Sequence, residues 1–491
     1  MTRALIVLHR WLGVAFCLLF AMWFASGIVM HFMPFPALTE AERIGGLTPL
    51  DPLRVLRSPA DAVTASTIKD ATRVRLLQRS DGPVYLVTGA SGLQALHAAD
   101  LSSAAITSEP LALAIAVEHA FWRGLDASQA SVVALAHYDQ WTVPNGLDPH
   151  RPLYRVALHD APGTELYVSS TTGEVVRDTR RAERWWNYAG SVPHWIYPTV
   201  LRSNWAAWDR TVWWLSLVAL IAAASGLVVG TLRIRIAQRR LASPYRGWHA
   251  WHHWLGLVSA TFVLTFIFSG WLSMDHGRLF SLDKLSDIEA KAMTGSPAWA
   301  TLSAAALRSL PGQAREIEWF AFAGRIYRRD RMALSIQRLS LANATGATPV
   351  DRAFLTADEI RDVAAALAPG CKAASAIAAG DNHAIEATMP EAPVYRLGCG
   401  EVWYHIDAAS GAALEKLDAS RRAYRWFYGA LHRLDLPTLV AVPALHTVLI
   451  VALCLGGLAF SLTGVVIGWR RLRLTVQPAK RPSTGTGTSG R

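Results

Sequence analysis

The sequence predicts an α-helical membrane bundle of four transmembrane helices carrying two large α+β extracytoplasmic domains, the whole internally duplicated. Three observations predict it: four apolar stretches of spanning length, a composition poor in charge and rich in tryptophan, and a set of motifs that occurs twice.

Only 17% of the 491 residues are charged and 52% are hydrophobic, whereas a soluble protein carries about 25% charged residues. The 20 Trp suit the interface belts where indole rings sit at headgroup level. Segments 1–33, 208–232, 251–275 and 440–469 each reach the ~20 residues that cross ~30 Å of hydrocarbon. The first apolar run is too long for the core of a cleaved signal, and no small-x-small cleavage site follows it. It reads as a retained signal anchor in a lipid bilayer.

Charge sets the orientation. Segment 233–250 carries Arg233, Arg235, Arg239, Arg240 and Arg246 without an acid. The tail 470–491 carries Arg470, Arg471, Arg473, Lys480, Arg481 and Arg491, again without an acid, and the N-terminus adds Arg3 and Arg10. The positive-inside rule places these segments in the cytoplasm, and 34–207 and 276–439 in the periplasm of a bacterial inner membrane. The net charge of +11 therefore reports topology and gives no reason to expect nucleic acid binding.

The repeat is read from short motifs. His9-Arg10-Trp11-Leu12-Gly13 recurs as His252-His253-Trp254-Leu255-Gly256, and each is followed by a Ser-Gly, at 26–27 and 269–270. Ser225-Gly226 recurs as Thr463-Gly464, and the same offset links His194 with His432. Both copies keep one orientation, so an axis along the membrane normal should relate them.

Within the extracytoplasmic segments, 153–158, 165–169 and 174–177 read as short strands, and 393–397, 402–406 and 413–416 repeat them. Residues 355–367 read as a helix with a Thr356/Glu359 capping box, with 111–121 as its counterpart. Hairpin-like runs at 73–88 and 315–341 predict a second α/β unit in each segment. The Ser/Thr/Gly-rich end, 482–491, reads as disordered. Cys17 and Cys454 read as packing residues in the spans. Cys371 and Cys399 lie where a disulfide is permitted, with the pairing left open.

The strand–turn–strand ends at 167–176 and 404–414 resemble the PepSY domain, whose last hairpin carries an Asp-x-x-Thr-Gly-like turn. The flanking motifs resemble PepSY-associated transmembrane proteins: HRWLG in the first span, PHWIYP before the second, SPYRGW, WHHWLG and FSGWLSMD around the third, LHRLDLP before the fourth. Ser169-Ser170 stands where the PepSY pattern has Asp-Ala, so the first hairpin departs from it. The resemblance covers nearly the whole chain. It implies PepSY-like periplasmic domains and an iron-regulated inner-membrane protein similar to siderophore reductases that carry two b-type haems.

That implication gives the histidines a task. A haem in a helical bundle takes two neutral imidazoles at one depth. His9 and His252 lie at the cytoplasmic ends of equivalent helices, and His194 and His432 are repeat mates at the opposite face. Two haem b groups, one per pair, are expected, with the haem iron bound through the same histidines. His9 and Gly27 share a helix face, as do His252 and Gly270, so a glycine is expected on each ligand face. The rival reading has interfacial histidines snorkelling to headgroups or anchoring a helix. His253, His446 and His31 are second choices as ligands. His276 points elsewhere, and His119, His137 and His383 read as surface residues of the soluble domains.

There is no C-x-x-C-H for covalent haem, no P-loop, no HExxH, no nucleophile elbow and no flavin or nicotinamide fingerprint. The expected activity is that of a membrane oxidoreductase. Electrons would pass from quinol or a redox-protein donor to a periplasmic acceptor, a ferric siderophore or another iron complex. The alternatives are a non-enzymatic PepSY regulator or assembly factor, and a transporter subunit for iron complexes. The last is weakened by the lack of a mid-span charge and of any half-helix break.

Overall fold

A computed structural model describes residues 2–237, 240–303, 307, 310–342, 352–368, 370–372, 374–378, 380–384 and 392–476. Arg239, Lys480 and the Ser/Thr/Gly-rich end lie outside the described residues.

Among the described residues, four helices are long and apolar enough to cross a membrane: Thr2–Phe32, Trp205–Leu232, Trp248–Leu272 and Pro443–Val476. The first packs on the second and fourth, and the third on the second and fourth, closing a four-membered ring. Its apolar centre holds Phe20, Phe24, Ala219, Ala222, Val263, Ile267 and Cys454. Ala219 and Ala222 leave room for the two phenylalanines, which is how small residues bring membrane helices together.

At one end of the bundle the chain builds its soluble layer. The first segment supplies β1 (Ala71–Arg79), β2 (Gly82–Gly89), β3 (Gly92–His97), β4 (Ser131–Ala136), β5 (Leu153–Ala157), β6 (Glu165–Ser169) and β7 (Val175–Thr179). A ribbon, β8 (Arg235–Ala237) and β9 (Arg240–Ala242), joins the second and third spans. The second segment supplies β10 (Glu316–Phe322), β11 (Arg325–Arg331), β12 (Gln337–Leu341), β13 (Ser375–Ala376), β14 (Val394–Cys399), β15 (Val402–Asp407) and β16 (Ala413–Leu417).

The expected separate α/β unit in each segment is corrected here. The early hairpins of both segments form one sheet, in the order β12-β11-β10-β1-β2-β3. β1 and β10 pair antiparallel at its centre, with Val74 opposite Trp319. The reason is the edge: each three-stranded meander would expose the unpaired amides of its first strand, and pairing the two strands satisfies both. Val74, Leu76, Tyr85, Ile317, Trp319 and Ile326 bury one shared core.

Each segment keeps a four-stranded sheet of its own, β4–β7 and β13–β16. Their last turns place Gly173 at φ +71° and Gly411 at φ +67°, a conformation that favours glycine. The helix Glu109–Trp122 covers the first sheet. The expected 355–367 helix keeps its Thr356/Glu359 capping box but breaks into Ala357–Arg361 and Ala364–Leu367. The Asp362 amide divides between the carbonyls of Asp358 and Glu359, at 3.1 and 3.2 Å, which tightens and ends the first piece. Cys371 and Cys399 are joined in a disulfide.

Candidate functional site

The four first-choice histidines meet in two pairs. The His9 and His252 ring centres lie 6.5 Å apart near the end of the bundle that holds the ribbon. Those of His194 and His432 lie 6.2 Å apart at the soluble-domain end. An ion bound between two opposed imidazoles at about 2 Å from each nitrogen sets the ring centres on the order of 6 Å apart. The sequence marks these residues through their repeated motifs and the family resemblance; the structure adds what holds them.

Each imidazole has its Nδ1 beside the hydroxyl of a Ser/Thr-Gly dipeptide. His9 lies 3.3 Å from Ser225 Oγ, His252 2.9 Å from Thr463 Oγ1, His194 3.0 Å from Ser26 Oγ and His432 3.1 Å from Ser269 Oγ. Each hydroxyl donates its proton to a carbonyl of its own helix: Ser225 to Ala222, Thr463 to Phe460, Ser26 to Met22 and Ser269 to Thr265. With that proton spent, the hydroxyl accepts, so Nδ1 donates. The neutral ring then carries its lone pair on Nε2, the tautomer a metal needs. Carbonyls reinforce this at the second pair, Trp23 O at 3.2 Å from His194 Nδ1 and Phe266 O at 3.3 Å from His432 Nδ1. Among the described residues no Nε2 of the four meets a hydrogen-bond partner. Burial pushes His194 down, with His432 adding to the shift, and burial likewise lowers His432, so both rings are neutral at pH 7.

The glycines seat the rings. A Cβ at Gly226 would come 2.7 Å from His9 Cε1, and at Gly270 3.2 Å from His432 Cε1. At Gly464 and Gly27 it would come 3.5 Å from the same atom of His252 and His194. This corrects the expectation that Gly27 and Gly270 serve His9 and His252. They do lie on those helix faces, but 18 residues along a helix is about 27 Å, so they reach the opposite pair. The dipeptides were visible as repeat markers. Their role as imidazole holders was missed, because it depends on which helices are neighbours.

The second choices divide. His253 is buried with both nitrogens engaged, Nδ1 by Ser243 Oγ and Nε2 by the Gly230 carbonyl, each at 2.9 Å, which makes it a link between spans. His31 and His446 meet each other, ring centres 5.8 Å apart. His276 turns away to Asp209. His119 is corrected from surface to buried: Gly46 lies directly on its ring, and burial pushes it down to about 3. His137 is exposed and His383 is half-buried. Among the described residues no three His, Cys, Asp or Glu side chains converge as a metal site.

A charged cavity of about 370 Å³ lies in the soluble layer, between the shared sheet and β7. Arg43, Arg75 and Arg331 surround the buried Glu316, and Arg73 and Arg329 pair with Glu318. Burial pushes the Glu316 carboxyl up, and the guanidinium groups of Arg43 and Arg75 more than offset it, holding it well below the usual range. These pairs tie the two segments together.

The chain matches the family described as the PepSY-associated TM region over residues 6–471. No curated protein matches it.

Proposed function

Because the chain belongs to the PepSY-associated transmembrane family over nearly its full length, we propose that it is a haem b electron-transfer protein of a bacterial inner membrane. In this reading it takes electrons from quinol or a redox protein and reduces a periplasmic iron complex of the ferric-siderophore class. The observation that carries the reading is the matched set of four imidazoles in two pairs, each with Nδ1 engaged and Nε2 uncommitted.

The donor set fits haem: two neutral imidazoles per site, and a glycine beneath each ring. His9 and His252 would hold one group and His194 and His432 the other. Haem bound there would supply a one-electron redox couple. Ser225, Thr463, Ser26 and Ser269 orient the imidazoles and raise their basicity. Between the two levels Phe20, Phe24, Val263 and Ile267 exclude water. The reading includes internal duplication, two PepSY-like domains at 34–207 and 276–439, and periplasmic placement of both. The two meanders paired about β1 and β10, and the basic segments at the opposite end, support it.

The test is the optical spectrum and haem content of detergent-purified protein. Reduced b-type bands are expected, with about half the haem lost in each of His9→Ala, His252→Ala, His194→Ala and His432→Ala, and none in His253→Ala. A colourless preparation would leave a PepSY regulator or assembly factor. Full occupancy in His9→Ala would sink the pairing.

A further inference from the structure

We propose that His31 and His446 form a separate binding site for a first-row transition-metal cation, at the soluble-domain end of the bundle. His31 closes the first spanning helix and His446 lies in the first turn of the fourth, so the site joins the two halves as the other pairs do. The ring centres are 5.8 Å apart. A single ion bonded to both rings at about 2 Å requires a separation on the order of 5–6 Å, depending on the angle at the metal.

The hydrogen bonds fix the tautomer of His446 and show which nitrogen of His31 is left without a partner. His446 Nε2 lies 2.9 Å from the Arg433 carbonyl, which only accepts, so Nε2 carries the proton and Nδ1 the lone pair. His31 Nε2 lies 3.0 Å from Thr447 Oγ1, one residue along from His446. Neither Nδ1 meets a hydrogen-bond partner among the described residues. This is the mirror of the four imidazoles above, in which Nδ1 is engaged and Nε2 is uncommitted. It also differs from His253, whose two nitrogens are both spent. Both rings are half-buried, so an ion has access from the aqueous side and completes its coordination with water. Paired neutral imidazoles select zinc, copper, nickel or iron over calcium or magnesium. The site adjoins the outer pair, since Arg433 follows His432 and Ser26 lies five residues before His31.

The experiment titrates Zn²⁺ into the full-length, oxidised protein by calorimetry, with haem content measured alongside. His446→Gln keeps a donor for the Arg433 carbonyl and removes the ligand; His31→Ala removes the other. One equivalent of Zn²⁺ is expected to be lost in both, with haem unchanged, and Thr447→Val should weaken binding about 10-fold or more. The haem control separates this proposal from the haem reading, because Zn²⁺ binding is scored whether or not haem is present. Undiminished Zn²⁺ binding in both histidine variants overturns the proposal. So does loss of haem in His446→Gln with Zn²⁺ binding intact, which would make these residues the outer haem ligands instead.

Discussion

Gly226→Ala isolates the seat of one imidazole without touching a proposed haem ligand. The added Cβ would stand 2.7 Å from His9 Cε1 and 3.2 Å from Nδ1, whereas ordinary contact begins at 3.4 Å. The ring must therefore withdraw by about 0.7 Å, more than the ~0.5 Å that a positioned site tolerates. Its Nδ1 already lies 3.3 Å from Ser225 Oγ, and a contact of about 3.6 Å is no longer a hydrogen bond. Overpacking of this kind costs about 1–3 kcal/mol, which is about a 5- to 150-fold weaker hold on haem at that level. Gly27→Ala is the internal control, since its Cβ meets His194 at 3.5 Å, an ordinary contact. The assay is haem transfer from detergent-purified protein to an excess of apomyoglobin. One of two kinetic phases should accelerate in Gly226→Ala and neither should change much in Gly27→Ala. Equal retention in the two variants would refute the argument that these glycines seat the imidazoles.

Three further outcomes follow from the geometry. Ser269→Ala removes the hydroxyl beside His432 Nδ1 and should weaken haem at the outer level about 10- to 100-fold, read by the same transfer assay; unchanged kinetics would make Phe266 O a sufficient partner. Glu316→Gln breaks a buried ion cluster and should cost about 3–5 kcal/mol at pH 7. Because the native Glu316 pKa is lowered, its contribution is present above the unfolded value of ~4.3 and lost as pH falls through the native value. Thermal unfolding of the parent should therefore worsen as pH drops below about 4. The variant should show a shallower dependence, since Glu40, Glu174 and Glu318 are lowered in the same way and remain. Alkaline phosphatase fused after Arg240 should be inactive and fused within 161–173 active; the reverse pattern would invert the proposed orientation.

How much of this was legible in the sequence depended on whether the signal was local. The spanning helices were, because hydropathy over ~20 residues reports burial in lipid without reference to a neighbour. So were the hairpins at 71–89 and 316–331, and the glycine turns at Gly173 and Gly411. The union of β1 with β10 was not, because a strand's own alternation does not name the partner at its edge. The histidine pairs were legible through the repeated motifs and the family resemblance. The hydroxyls were not, because Ser26 and His194 are 168 residues apart and only the packing of the first helix brings them together. His119 failed for a related reason: its burial depends on Gly46, remote in sequence and not marked by any motif.

In the proposed reading as a duplicated haem protein, the hydroxyl–imidazole contacts give each copy of the plan its own task. In the first half, the first span carries His9 and the Ser26-Gly27 dipeptide, while the second span and its approach carry His194 and Ser225-Gly226. In the second half, the third span carries His252 and Ser269-Gly270, and the fourth with its approach carries His432 and Thr463-Gly464. Each hydroxyl holds an imidazole of its own half, so a half already contains everything that sets the tautomer of its two rings. Each imidazole pair, in contrast, crosses between halves. One half alone would present two oriented rings, each without the second axial donor that a haem iron requires. Local contacts therefore orient the rings, and the closing of the four-helix ring makes the pairs. In the proposed haem reading, haem loading would report the joining of the halves, a junction that the ion pairs around Glu316 in the soluble layer also stabilise.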